Sequence, residues 1–203
     1  MGRWGHGAPI RRAYGNGYAV DMELHCYLGH GASGSAASMT PYVNGLQARG
    51  IPATAIDLPR RRAEDAVPAF HLVVPRDPSV VVGGQSFGGR VASLAAAEPG
   101  APYAALVLFS YPLHPPGSPE KAEARTSHWS QIRCPVLLLS GESDPFAKLD
   151  LLRAAVPTLG GRAELVTYPR LGHGLMTVLD DVLDRVAAFL AAKVPPGTSD
   201  PLP

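Results

Sequence analysis

The stretch Val80-Val81-Val82-Gly83-Gly84-Gln85-Ser86-Phe87-Gly88-Gly89-Arg90 decides the fold. It begins as a β-branched run typical of a strand, passes through glycines, and continues into the alanine-rich helix predicted over Arg90 to Ala97. Its centre fits the pattern G-x-S-x-G, in which a serine occupies a sharp turn between a strand and a helix. We therefore expect the Ser86 hydroxyl to project from the edge of a sheet. A glycine-rich turn without chemistry is the alternative that the pentapeptide alone leaves open.

Strands and helices alternate on both sides of this stretch. A half-buried strand is predicted from Tyr18 through Cys26 to Leu28, and further short apolar runs are found at 51–57, 104–109, 136–139 and 163–168. One helix is predicted to begin at Thr40-Pro41, with Thr40 as N-cap and Pro41 as first helical residue, and to end at Gly50. A second helix is predicted over 175–190, whereas 58–72 is poorly defined. This alternation predicts a three-layer α/β fold, a mainly parallel sheet with helices on both faces, with its binding crevice at the carboxyl ends of the strands.

A chain of 203 residues with 46% hydrophobic residues can form one sizeable core. We expect an N-terminal extension or hairpin arm at 1–20, with Asn16-Gly17 as its turn, one domain at 21–193, and a proline-rich tail at 194–203. The segment Ser110 to Arg133 is where a cap would lie, and its short, proline-rich sequence predicts a minimal one.

The charge balance argues against nucleic acid as a partner, because 18 Lys and Arg face 17 Asp and Glu. The run Arg60-Arg61-Arg62 is interpreted as a solvated loop rather than a phosphate site. Cys26 and Cys134 lack metal-ligand spacing, so neither a zinc site nor a disulfide is expected, and no cofactor is implied. No signal-peptide core and no membrane span are recognisable, so a cytoplasmic protein without membrane contact is expected.

Two further residues complete a candidate catalytic set. A serine hydroxyl is a weak nucleophile that needs a base, and the base needs an orienting carboxylate. His173 lies in a loop between a strand and the last helix, and Asp144 follows the strand at 136–139, so the chain order is Ser, Asp, His. Glu142, two residues earlier, is the nearest competitor for the acid. Each residue alone would be interpreted as an ordinary loop residue.

The loop Gly29 to Gly34 predicts the other half of an oxyanion hole, with Ala32 as the N–H donor, Ser33 second, and Phe87 supplying the partner N–H. His30 is expected to be a structural hydrogen-bonding side chain. The expected walls of the substrate pocket are Ser33, Gln85, His114 and Phe146.

The chain resembles the small α/β-hydrolases of the KANL3/Tex30 and dienelactone-hydrolase-like type. The matching segments cover roughly Leu24 to Lys193 and are 29–34, 83–90, 111–117, 141–146 and 172–174. The resemblance implies a minimal hydrolase fold with Ser86, Asp144 and His173 as the triad, and no assigned substrate for most members. The chain departs from it at Gln85, where many relatives carry a basic residue, and in the polar first strand His25-Cys26-Tyr27.

These residues are compatible with three functional classes. The first is a serine hydrolase that acts on a small carboxylic ester or thioester through an acyl-enzyme on Ser86. The second is a catalytically silent interaction module on the same fold, since some eukaryotic relatives resemble scaffolds in chromatin complexes. The third, a phosphate-binding α/β protein, is disfavoured because 83–89 lacks the Lys and Ser/Thr of a P-loop. The sequence favours the first and leaves the oligomeric state open.

Overall fold

A computed structural model of the chain describes residues 11–13, 19–21, 24–159 and 163–194. The strands in chain order are β1 (Arg11–Ala13), β2 (Ala19–Asp21), β3 (His25–Gly29), β4 (Ala53–Ile56), β5 (Val80–Gln85), β6 (Ala105–Phe109), β7 (Val136–Gly141) and β8 (Ala163–Tyr168). The helices are α1 (Thr40–Ala48), α2 (Ala63–Val73), α3 (Phe87–Ala97), α4 (Ala122–Thr126), α5 (Leu149–Ala155) and α6 (Leu179–Lys193). Short 3-10 turns lie at Ala36–Met39, Pro119–Lys121, Trp129–Gln131, Val156–Leu159 and Met176–Val178.

Six strands form one parallel sheet in the order β4-β3-β5-β6-β7-β8. The strand that precedes Ser86 is therefore third from one edge, with β3 and β6 as its neighbours. Gly84 pairs with Gly29 on one side and with Leu108 on the other. Because all six strands run in the same direction, the loops after β3, β5, β6, β7 and β8 meet at one edge of the sheet.

Helices cover both faces of the sheet. Val80 and Val82 of β5 belong to a core that includes buried residues of α2, α3 and α5, whereas Val81 belongs to a second core with α1 and α6. This division follows from the alternation of side chains along a strand, which sends neighbours to opposite faces. The predicted three-layer α/β-hydrolase fold is confirmed.

The helices differ from the sequence interpretation in two places. The sequence defines no element over 58–72, whereas in the structure α2 occupies Ala63–Val73 and contains Pro68 in its interior. Proline lacks the N–H needed for the helical hydrogen-bond ladder and usually ends a helix, so the pattern was misleading. Thr40 is not an N-cap, because a 3-10 turn precedes it and its own backbone is helical (φ −51°, ψ −43°). Gly50, with φ +74°, does end this segment as predicted.

The predicted continuous strand from Tyr18 to Leu28 is divided in two. β2 pairs antiparallel with β1 as a separate small sheet, and the main sheet begins at His25. The polar start of β3 is explained by its place beside the edge strand, where His25 Nε2 lies 2.8 Å from Thr54 Oγ1. Tyr18, the turn at Asn16-Gly17 and the tail at 195–203 lie outside the described residues.

Candidate active site

Ser86 occupies the turn between β5 and α3 in a strained conformation. Its backbone has φ +50° and ψ −111°, a region that non-glycine residues rarely adopt. The turn is fixed by two backbone hydrogen bonds, from Ser86 N–H to the Phe109 carbonyl (2.9 Å) and from Gly88 N–H to the His30 carbonyl (2.9 Å). The result is a hydroxyl held at the carboxyl edge of the sheet.

Gly88 lets α3 pack directly against the end of β3. A Cβ at this position would lie 2.2 Å from the carbonyl carbon and oxygen of Gly29, which is backbone and has little freedom to move. Glycine is therefore the residue that this approach requires, as the sequence pattern predicts.

His173 lies between Ser86 and Asp144 and contacts both. Its Nε2 is 2.8 Å from Ser86 Oγ, and its Nδ1 is 3.0 and 2.8 Å from the two carboxylate oxygens of Asp144. An ionised carboxylate only accepts hydrogen bonds, so Nδ1 carries the proton and the Nε2 lone pair faces the serine hydroxyl. The arrangement can accept a proton from Ser86 at Nε2.

The Asp144 side chain has no exposed surface, whereas the His173 side chain is 25% exposed. A buried carboxylate needs hydrogen-bond donors, and Asp144 accepts a second hydrogen bond from the backbone N–H of Phe146 at 2.8 Å. The ring of Phe146 lies 4.4 Å from the His173 ring, centroid to centroid, and covers it on one side. These contacts fix the position of the imidazole.

The loops that carry Asp144 and His173 are joined through the backbone. The Ser143 N–H donates to the Leu171 carbonyl at 2.8 Å, and a Cβ on Gly141 would lie 2.2 Å from the Gly172 carbonyl oxygen. Glu142 lies in the same loop as Asp144, but its carboxylate accepts a hydrogen bond from Thr167 Oγ1 of β8 at 2.8 Å. Geometry thus separates the two candidate acids, which the sequence could only rank.

Ala32 and Phe87, the two predicted oxyanion donors, line the same cavity as Ser86. Phe87 is the first residue of α3, so its N–H has no partner within the helix. Among the described residues, neither its N–H nor that of Ala32 donates a backbone hydrogen bond. His30 is structural as expected, with Nδ1 2.7 Å from the Gly31 carbonyl and Nε2 accepting from Leu58 N–H at 3.0 Å.

The cavity beside Ser86 has a volume of about 540 Å³. Of the four predicted wall residues only Phe146 lines it; Ser33, Gln85 and His114 do not. His114 is buried, with Nδ1 2.8 Å from the Pro115 carbonyl and Nε2 accepting from Lys148 N–H at 3.0 Å, so its role is to hold two loops together. Gln85 lies against the loop, since a Cβ on Gly31 would be 3.5 Å from its Oε1.

Charged residues that the sequence did not predict also line the cavity. They are Arg61, Arg62, Glu64, Arg90, Lys121 and Arg125. The Arg60-Arg61-Arg62 run was the available signal, and its members are exposed as expected, yet two of them also face the cavity. Lys121 and Arg125 come from the 110–133 segment, which contains α4 and two 3-10 turns and covers one side of the cavity.

Comparison with known proteins agrees with this architecture. Residues 41–180 match the model of the family described as the alpha/beta hydrolase domain, and the chain belongs to that family. No curated protein matches the chain.

Solved structures share the fold at low sequence identity. A Paleococcus ferrophilus monoacylglycerol lipase has a TM-score of 0.69 at 13% identity, covering 81% of this chain and 94% of its own. The Pyrococcus furiosus esterase Pf2001 has a TM-score of 0.67 at 16% identity, with 85% and 84% covered. Thermogutta terrifontis esterase 2, phosphorylated by paraoxon, has a TM-score of 0.67 at 21% identity, with 84% and 82% covered.

In the part of the chain that the structure describes, no helix is both long and apolar enough to cross a membrane.

Proposed function

We propose that the protein is a serine hydrolase that cleaves a small carboxylic ester or thioester through an acyl-enzyme on Ser86. The observation that carries the proposal is the continuous hydrogen-bonded line from Ser86 Oγ through the imidazole of His173 to the buried carboxylate of Asp144. A serine hydroxyl paired with an oriented neutral imidazole is the arrangement that nucleophilic acyl transfer requires.

In the first half of the reaction, Ser86 Oγ forms a bond to the substrate carbonyl carbon while its proton passes to His173 Nε2. The carbonyl oxygen becomes an oxyanion, which the N–H groups of Ala32 and Phe87 stabilise by hydrogen bonds. Asp144 stabilises the imidazolium. Collapse of the tetrahedral species breaks the bond to the leaving group, which takes the proton from His173 and departs as an alcohol or thiol.

The second half returns the enzyme to its starting state. His173 takes a proton from water, the resulting hydroxide attacks the acyl carbon, and Ser86 leaves with the proton that the imidazole gives back. No cofactor takes part in these steps. The carboxylic acid is released.

The family and the structural neighbours support this reaction class, because the neighbouring structures bear the names of esterases and a lipase. We further infer a place in the KANL3/Tex30-like group. The motif segments that carry this resemblance include the loop at 29–34, the serine turn and the two loops that hold Asp144 and His173, and His173 contacts Ser86 directly.

A panel of p-nitrophenyl esters of increasing acyl length, run on wild type and Ser86→Ala, tests the proposal. We expect wild type to release p-nitrophenol and Ser86→Ala to lose at least about a thousandfold in kcat. Ser33→Ala is the matched control, because Ser33 lies in the neighbouring loop but does not line the cavity. Turnover that survives in Ser86→Ala would refute the assignment, and a folded wild type without turnover on any ester would favour the silent interaction module.

A further inference from the structure

We propose that the substrate carries an anionic group, a carboxylate or a phosphate, which binds to the cationic side of the Ser86 cavity. This side, called the cationic wall below, consists of Arg61, Arg62, Arg90, Lys121 and Arg125. The inference rests on the proposed function and adds the substrate class to it.

The concentration of charge is the first observation. The whole chain has a formal charge of +1, with 18 Lys and Arg, yet five of these 18 line one cavity together with a single carboxylate, Glu64. Like charges repel one another, so gathering them around a cavity lowers stability unless something there compensates them. A cavity lined with one sign of charge concentrates ligands of the opposite sign.

Arg90 forms the base of the wall and is already paired. Its guanidinium is mostly buried, contacts the Glu64 carboxylate and donates to the Arg125 carbonyl at 3.1 Å. A hydrogen bond from its own backbone N–H and the neighbouring Arg90 guanidinium hold the pKa of Glu64 below its ordinary value, so this residue is ionised. The negative charge of Glu64 therefore offsets the positive charge of Arg90. Its Oε2 also lies 3.7 Å from Arg62 Nε.

Arg125 has no ion-pair partner among the described residues and is less exposed than Arg61 and Lys121. It is half-buried, and the one described hydrogen bond of its guanidinium runs from Nη1 to the Pro112 carbonyl at 2.9 Å. No carboxylate in the described part of the chain lies within ion-pair distance of its guanidinium. Burial, and then the positive charge of Arg90, lower the pKa of Arg125. The charge of an anion in the cavity would offset the repulsion from Arg90 and stabilise the guanidinium cation, which can bind a carboxylate or phosphate through two parallel hydrogen bonds.

Arg61 and Lys121 contribute exposed cations from two separate segments. Arg61 lies in the loop before α2, and Lys121 ends the 3-10 turn before α4. Neither forms an ion pair with another described residue. Both are therefore available to a bound anion, and both can be replaced without removing a described structural contact.

The wall and the reacting group belong to the same cavity, which also contains Ser86, Phe87 and Ala32. A single small molecule in a volume of about 540 Å³ can thus place its ester carbonyl at Ser86 and its anionic group at the wall. Binding at a remote charge of this kind holds the carbonyl in position for attack.

The test compares two esters of equal shape and different charge. p-Nitrophenyl glutarate ends in a carboxylate, and p-nitrophenyl 5-methylhexanoate ends in an uncharged isopropyl group of the same outline. We expect kcat/KM to favour the glutarate by about tenfold or more at low ionic strength, with the preference falling as salt is added. Equal rates, or a preference for the neutral ester, would overturn the inference.

Variants show whether the wall is responsible. Arg61→Gln/Lys121→Gln should lower the glutarate-to-methylhexanoate ratio by about threefold, and adding Arg125→Gln to this pair should bring the ratio close to that of two equally good substrates. The control Arg153→Gln/Lys193→Gln removes the same charge from exposed positions away from the cavity and should leave both rates unchanged. If the glutarate-to-methylhexanoate ratio falls equally in the control, the preference is due to the net charge of the protein, and the proposed role of the cationic wall is wrong.

Inhibition by glutarate and by inorganic phosphate distinguishes the two anions, since the better competitor identifies the group that the wall prefers. The outcome is separable from that of the proposed function. Hydrolysis of both esters at equal rates would support the proposed hydrolase activity and contradict the proposal of an anionic substrate. If neither ester is cleaved, calorimetry with the same two anions decides: binding that Arg61→Gln/Lys121→Gln weakens supports the wall, and no binding overturns it.

Discussion

The Ser86 hydroxyl lies 2.8 Å from His173 Nε2, although 87 residues separate the two along the chain. The parallel sheet explains this proximity, because the turn after β5 and the loop after β8 leave the same edge. The strained serine backbone and the buried carboxylate behind the imidazole make the contact specific rather than incidental.

Replacement of the acid tests the orientation of the imidazole. Asp144→Asn removes the acceptor that holds the Nδ1 proton, so we expect kcat to fall by roughly a thousandfold or more. Glu142→Gln should change kcat by only a few-fold, since Glu142 bonds to Thr167. Steady-state rates of the two variants on one aryl ester provide the measurement. A larger loss of kcat in Glu142→Gln than in Asp144→Asn would show that Asp144 is not the residue that orients the imidazole.

Acyl length tests the character of the cavity. Guanidinium and ammonium groups are among the side chains that line it, and a long alkyl chain would displace their water without offering hydrogen bonds in return. We expect kcat/KM for p-nitrophenyl esters to be highest for short acyl groups and to show no gain from butanoyl to decanoyl. A steady increase towards long chains would contradict this view of the cavity.

The fold was predictable from sequence because strand and helix periods are local properties, and the serine turn was predictable because its glycines are adjacent. The α2 helix was missed because Pro68 breaks the local pattern, although tertiary packing of Phe70 and its neighbours keeps the helix intact. Asp144 and His173 could be proposed only from chain order. The distances among them depend on how the sheet brings distant loops together.

The cationic wall and the position of His114 could not be predicted from the sequence for the same reason. The five cations come from the loop before α2, from α3 and from the 110–133 segment, and no local spacing links them. His114 was expected to form a pocket wall because it follows a strand. Its two ring nitrogens instead bond to backbone groups on either side of a loop junction, a pairing that only the tertiary structure reveals.

His128 links stability to pH. Burial, and then the positive charge of Arg90, lower the pKa of His128 from 6.5 to about 4. Ser93 Oγ donates to the Arg90 carbonyl and lies 2.8 Å from His128 Nε2, which fits a neutral ring that donates to it. As the pH falls, the histidine of the unfolded chain takes up a proton before that of the folded chain does. The contribution of the neutral ring to the free energy of unfolding is therefore complete above about pH 6.5 and is lost as the pH falls towards 4.

Urea unfolding at pH 7 and pH 4.5 measures the effect. We expect His128→Gln to reduce the pH-dependent loss of unfolding free energy by about 2 kcal/mol relative to wild type. Gln131→Ala, an exposed position in the neighbouring 3-10 turn that removes no ionisable group, is the control and should retain the wild-type dependence. An unchanged pH dependence in His128→Gln would show that the ring is not held neutral.

The central claim is that Ser86 is chemically activated, and a fluorophosphonate probe tests it without knowledge of the substrate. An ordinary serine ignores the reagent, whereas a serine paired with an oriented imidazole attacks phosphorus and forms a stable adduct. We predict one label per folded chain, located at Ser86 by peptide mapping, absent in Ser86→Ala and after denaturation, and strongly slowed in His173→Ala. A folded, monodisperse wild-type sample that stays unlabelled, or carries the label on Ser33 or Ser143, would contradict the account.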